Sequence, residues 1–124
     1  MGLLDAFSDF FEDGFGTLRQ AGARLEIVEK NAALCVIQGD RRRVVLNLMR
    51  RVADVGSAGR LPFAQFALVE VEHFQDEDRG TFWRVSLVPK LRGRMEVGCS
   101  AADVDASIVA TTLARHLGCS VKAF

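Results

Sequence analysis

Residues 1–13 carry Leu3, Leu4, Phe7, Phe10 and Phe11 at i, i+1, i+4, i+7 and i+8, separated by Asp5, Ser8, Asp9, Glu12 and Asp13. Apolar side chains at that spacing share one face of a 3.6-residue repeat, so the pattern predicts an amphipathic helix with an acidic far side. Gly14, Gly16 and Gly22 then interrupt regular structure and mark a connector. The division this suggests is an N-terminal helix and connector over 1–22 and one domain over 23–124.

From Arg24 the period falls towards two. Leu25 and Ile27 alternate with Arg24, Glu26 and Val28, and the apolar run Leu34 to Ile37 follows Asn31, which predicts paired strands. Gly39 and Asp40 supply a turn. Residues 42–53 fit two patterns: Val44, Leu46 and Leu48 share one face of a strand, whereas Val44, Val45, Leu48, Met49 and Val52 share one face of a helix. Periodicity leaves both open, although Arg41, Arg42 and Arg43 would oppose the positive end of a helix dipole and tip the reading towards a strand.

Gly56, Ser57, Ala58 and Gly59 predict a loop, and Pro62 leads into a three-strand meander. Its first strand covers about 66–74, its tip is Asp76, Glu77, Asp78 and Gly80, and its second strand sets Trp83, Val85 and Leu87 against Arg84 and Ser86. After Gly93, Met95, Val97 and Cys99 alternate in the third strand. A closing helix over 103–117 places Ala106, Val109, Ala110, Leu113 and Leu117 on one stripe, with Asp105, Ser107, Thr111, Thr112 and Arg115 facing away. Ser100 and Asp103 form a capping-box-like start, and Gly118 stops the helix.

The chain has 124 residues, 49% hydrophobic and 26% charged, with 16 basic residues against 16 acidic ones. That length makes one domain able to bury about two-thirds of the surface its unfolded form exposes, without need of disulfide or metal staples. Zero formal charge argues against a protein whose main work is neutralising nucleic-acid phosphates. The apolar runs are far shorter than the roughly 20 residues that span a bilayer, and the acidic N-terminus does not resemble a secretory signal, so a cytoplasmic protein is expected. Cys35, Cys99 and Cys119 form an odd set without CxxC spacing, as free thiols in a reducing compartment would.

The order of these elements carries a resemblance. The Pro-led segment Phe63 to Val71, then Trp83-Arg84-Val85-Ser86-Leu87, then Met95-Glu96-Val97, then a helix ending Leu113-Ala114-Arg115-His116-Leu117-Gly118, resembles bacterial pleckstrin-homology-like (PH-like) domains over residues 24–118. The resemblance implies an α+β fold: a strongly curved antiparallel sheet or barrel capped by the C-terminal helix, with Trp83, Val85, Leu87, Val97 and Val109 sharing a core. A helical 42–53 would shift the resemblance towards the small acidic chaperones of bacterial secretion systems.

Candidate chemistry is sparse. His116 and Cys119 make half of a zinc site, and zinc needs three or four protein ligands. Asp103 and Asp105 lie two apart on a helix and do not share a face, and Asp76, Glu77 and Asp78 read as a solvated hairpin tip. Gly98-Cys99-Ser100 lacks the second glycine of a nucleophile elbow, and no phosphate-binding glycine fingerprint occurs. The expectation is a non-catalytic protein without cofactor or metal; a small enzyme would need a pocket built around His73, Asp103 or Cys99.

Two features suggest binding. Arg41, Arg42 and Arg43, with Arg50, Arg51 and Arg60, outnumber the neighbouring Asp40 and Asp54, and a turn bearing three arginines would suit a lipid headgroup or phosphorylated ligand. Four of the nine phenylalanines, Phe7, Phe10, Phe11 and Phe15, fall in the first 15 residues. A helix burying Leu4, Phe7, Phe10 and Phe11 either docks on its own domain or inserts into a protein partner or a second copy. Its acidic polar face argues against a membrane surface. Protein recognition or self-association through these four residues is the leading expectation, with anion binding at Arg41–Arg43 the alternative.

Overall fold

The fold is given by a computed structural model that describes residues 22–78 and 80–123. The apolar N-terminal face, including Leu4, Phe7, Phe10 and Phe11, lies outside the described residues.

Five short strands make an antiparallel meander: β1 (Leu25–Lys30), β2 (Leu34–Gly39), β3 (Arg43–Asn47), β4 (Val52–Asp54) and β5 (Arg60–Pro62), paired in that order. A second sheet follows with β6 (Phe66–Asp76), β7 (Gly80–Pro89) and β8 (Met95–Ser100), and then α1 (Asp103–Leu117) and β9 (Ser120–Ala123). Its order is β8-β7-β6-β9, with β9 parallel to β6 and the other pairs antiparallel. The α+β class expected from the pattern is present, built as two hydrogen-bonded sheets with one C-terminal helix rather than as one closed sheet. No helix among the described residues is long and apolar enough to cross a membrane.

Segment 42–53 is neither one strand nor a helix. β3 ends at Asn47, whose Oδ1 accepts the Arg50 N–H at 3.0 Å, and Arg51 adopts φ 57°, so residues 48–51 turn the chain into β4. A side-chain cap and one left-handed arginine make this turn without glycine or proline, which is why both periodic patterns ran through it. The hairpin removes the condition on which the secretion-chaperone resemblance stood.

The core lies between the sheets and under α1. Ile37, Val44 and Leu46 from the first sheet meet Val69, Val85, Leu87 and Val97 from the second, and Ala106, Val109, Ala110, Leu113 and Leu117 of the helical stripe are all buried. Each large aliphatic side chain so buried contributes about 1.5–3 kcal/mol before the entropy of ordering it. Trp83 packs on the core edge while partly exposed, and Thr112, placed by its spacing on the outer face, is buried. The N-cap of α1 is Ala102, with no side-chain cap; Ser100 Oγ instead accepts the Ala102 N–H at 3.0 Å, so the capping box does not form. Gly118, at φ 76°, ends the helix with its N–H on the Ala114 carbonyl.

The sheets touch most closely where β2 leaves the first sheet and β8 crosses it. The N–H groups of Arg41 and Arg42 both donate to the Val97 carbonyl, at 3.0 and 3.1 Å, and the Asp40 N–H donates to the Arg24 carbonyl at 2.9 Å. Asp40 Oδ1 accepts the N–H of Cys99 at 2.8 Å and of Arg24 at 3.1 Å. Gly39 and Gly98 sit at this crossing because the opposing backbone occupies the space a Cβ would fill.

Candidate functional site

The arginines of the β2–β3 turn point to different partners. Arg42 is drawn inward, donating from Nε to the Glu96 carbonyl at 2.8 Å and from Nη1 to the Val55 carbonyl at 3.0 Å. Arg41 lies 3.7 Å from Glu96 Oε2 and 3.9 Å from Asp40 Oδ2, and Arg43 reaches Gln38 Oε1 at 3.4 Å. Arg41 thereby joins a line of ion pairs across β6, β7 and β8: Glu70 with Arg94, Glu72 with Arg84, and Arg84 with Glu96. Arg42 is thus held by backbone carbonyls, whereas Arg41 and Arg43 stay exposed with only long contacts to Glu96, Asp40 and Gln38.

The catalytic candidates are equally scattered. His73 stacks on Trp83, its cross-strand neighbour, at 5.0 Å between ring centroids. Asp76 Oδ1 accepts the Asp78 N–H at 2.9 Å, a local turn at the hairpin tip. Burial, and then the Asp40 carboxylate, raise the Cys99 thiol above its ordinary range; burial does the same for Cys119. A thiol kept protonated is a poor nucleophile. Among the described residues no three His, Cys, Asp or Glu side chains gather as metal ligands.

His116 has one testable consequence. Its Nε2 is buried without a hydrogen-bond partner among the described residues, and burial, then Arg115 and Lys30, hold its pKa below the ordinary 6.5. Below pH 6.5 the unfolded chain takes up this proton and the folded one resists it, so stability is intact above 6.5 and falls as pH drops towards the folded-state value. His116→Leu is expected to flatten that loss between pH 7.5 and 5, with melting temperatures of both proteins as the readout; one proton sets a ceiling of about 1.4 kcal/mol per pH unit. Parallel curves would show that His116 titrates normally in the folded protein.

The surface that sequence reasoning missed lies between β1 and α1. Beside its buried stripe, the helix carries Val104 and Ile108 one turn apart, 65% and 52% exposed. Ile108 and Val109 line a recess of about 210 Å³ with Leu25, Ile27, Glu26 and Asp105. A recess of about 390 Å³ adjoins it through Leu25, Glu26 and Asp105 and extends to Ala23, Arg24 and Cys99. On its other side a recess of about 350 Å³ shares Ile108 and ends at Lys30 and Arg115. The first two share the walls Leu25, Glu26 and Asp105, and the third meets them only at Ile108, so open recesses flank the helix on both sides of that side chain. The i, i+4 spacing of Val104 and Ile108 was a legible signal for an exposed apolar pair on the helix, of which Ile108 lines a recess.

Asp103 lines a different recess, about 180 Å³, with Trp83, Val71 and Val121. Its other polar side chains are the hydroxyls of Ser107 and Thr111, and no histidine, cysteine or second carboxylate among the described residues lines it with Asp103. Comparison of the chain with family models, curated proteins and solved structures finds no match.

Proposed function

We propose that this protein is a non-catalytic recognition module of PH-like build that binds another protein chain, a second copy included, through Leu4, Phe7, Phe10 and Phe11. The observation that carries this reading is the exposed Ile108 of α1 beside a recess walled by Leu25, Ile27 and Val109. It is a surface suited to helix-in-groove contacts, in a chain that also carries an unusually aromatic amphipathic segment. The PH-like assignment is supported by two antiparallel-rich sheets packed against a helix that follows the last meander strand. Anion binding at Arg41–Arg43 is disfavoured because Arg42 is engaged by backbone carbonyls and Arg41 by carboxylates.

Sedimentation of the full chain over a range of concentrations tests the reading. Wild type is expected to associate as concentration rises. Phe7→Asp with Phe11→Asp is expected to stay monomeric and equally folded, with association weakened at least about a hundredfold, since central interface aromatics commonly contribute 2 kcal/mol or more each. Two monomeric proteins, or an unfolded double variant, would contradict it.

A further inference from the structure

We propose that a recess on the outer face of the first sheet is a binding site for a small amphipathic carboxylate, with the charged head on Arg50 and the alkyl chain along Leu34, Val45 and Val52. The site shares no residue with the recesses beside α1, so it stands or falls independently of the proposed protein contact.

Register builds the floor. Leu34 pairs with Asn47, Asn47 with Val52, and Val45 with Asp54. Cross-strand partners share a face, so these side chains stand on the side of the sheet opposite Val44 and Leu46, which are buried in the core. Leu34, Val45 and Val52 are half-buried there and wall a recess of about 350 Å³, at the small end of the range of ligand pockets. Adjacent strands lie about 4.8 Å apart, so β2 to β4 spans about 10 Å, which suits an alkyl chain of medium length.

The β3–β4 turn supplies the partner for the head group. Asn47 Oδ1 accepts the Arg50 N–H at 3.0 Å, the Asn47 carbonyl accepts the Arg51 N–H at 2.8 Å, and the Arg51 carbonyl accepts the Phe63 N–H at 2.9 Å. Arg51 also sets its guanidinium 5.5 Å from the centre of the Phe63 ring. The backbone of Arg50 is thereby fixed at the rim of the recess, while its guanidinium makes no hydrogen bond or ion pair among the described residues. The side-chain amide N–H groups of Asn47 are likewise without a partner among them. A planar guanidinium and an amide donor lining one recess match the two oxygens of a carboxylate.

The charges of the recess favour an anion. Its charged lining is Arg50, Arg60 and Asp54. Arg60 Nε lies 3.9 Å from Asp54 Oδ2, and Asp54 Oδ1 accepts the Gly56 N–H at 3.1 Å. Asp54 is therefore answered by its own neighbours, and the Arg50 guanidinium is left over. The other charged groups on this face are also engaged: Glu26 with Arg24 at 2.7 Å, Glu29 with the Asn31 amide at 3.2 Å, and Arg43 with Gln38 at 3.4 Å.

Octanoate titrated into the full chain, followed by calorimetry and by backbone amide chemical shifts, tests the site. Saturable one-to-one binding is expected, with the largest shifts at Leu34, Val45, Arg50 and Val52. Arg50→Ala removes a side chain that has no protein partner, so the fold is kept, and octanoate should bind at least about tenfold more weakly for want of the charge-assisted bond. Octanol, which has the chain without the charge, should lose a similar factor. Butanoate, whose chain is too short to cross the strands, should bind at least about tenfold more weakly than octanoate. Arg41→Ala, on the β2–β3 turn, should leave octanoate binding unchanged.

No saturable binding up to about 10 mM octanoate would overturn the site. Equal affinity for octanoate and octanol, an Arg50→Ala protein that binds as wild type does, or shifts confined to residues beside α1 would also overturn it. Tighter binding of octylammonium than of octanoate would give the recess to cations through Asp54 and overturn the carboxylate assignment.

Discussion

Gly39→Ala is expected to destabilise the protein by about 3 kcal/mol or more, lowering the melting temperature by more than about 10 °C. A Cβ at position 39 would press on the Val97 carbonyl, with the Val97 carbonyl carbon at 2.5 Å and the Gly98 nitrogen at 3.0 Å. These are backbone atoms, so no rotamer change relieves the clash. Relief requires β2 and β8 to separate, which breaks the bonds from Arg41 and Arg42 to the Val97 carbonyl. Gly56→Ala supplies the contrast: φ there is 77°, yet nothing lies near the added carbon, so the cost is limited to conformational strain of about 1 kcal/mol. Thermal unfolding of the two variants checks the ranking, and a Gly39→Ala protein melting within 2–3 °C of wild type would mean that the sheets do not meet as closely as described.

Arg42→Ala is expected to cost about 2–3 kcal/mol, whereas Arg41→Ala and Arg43→Ala should each stay within about 0.5 kcal/mol of wild type. Arg42 spans from the Glu96 carbonyl to the Val55 carbonyl, tying β8 to the segment after β4 across the sheet crossing. Its loss leaves two part-buried acceptors without their charged donor. Lysine cannot replace it, because one ammonium on a flexible stem does not present two donors in a fixed fork. Arg41 and Arg43 are exposed and their ion-pair or hydrogen-bond distances are long. Equilibrium denaturation of the three variants would contradict this if the costs were equal, because the turn would then act as one solvated patch.

The contrast among these arginines shows where sequence reasoning stopped. Arg42 meets Glu96 across 54 residues, and no local period records which of three adjacent arginines a distant strand will draw inward. By contrast, α1 was legible because five apolar residues share one stripe and Gly118 closes it, and β6–β8 were legible because their alternation is bounded by Gly80 and Gly93. The β3–β4 turn was hidden by its unusual chemistry, Asn47 and Arg51 in place of glycine. Strand β9 has four exposed residues and no alternating burial, so its strand character comes from parallel pairing with β6 rather than from its own pattern. The recess beside Ile108 was half legible: the helical position of Ile108 could be read from spacing, but not that Leu25 and Ile27 of β1, from the other end of the domain, form its second wall.

The central claim is that this protein works through apolar side chains of its N-terminal segment and not through the arginines of its β2–β3 turn. Sedimentation equilibrium of the full chain at about 50 mM and 500 mM salt tests it most directly, because the Debye length shrinks from roughly 14 Å to 4 Å over that range. An apolar contact rimmed by acidic residues should hold or strengthen as salt rises, with the association constant falling by no more than about twofold. Association that collapses at high salt, or that occurs at neither concentration, would contradict the account.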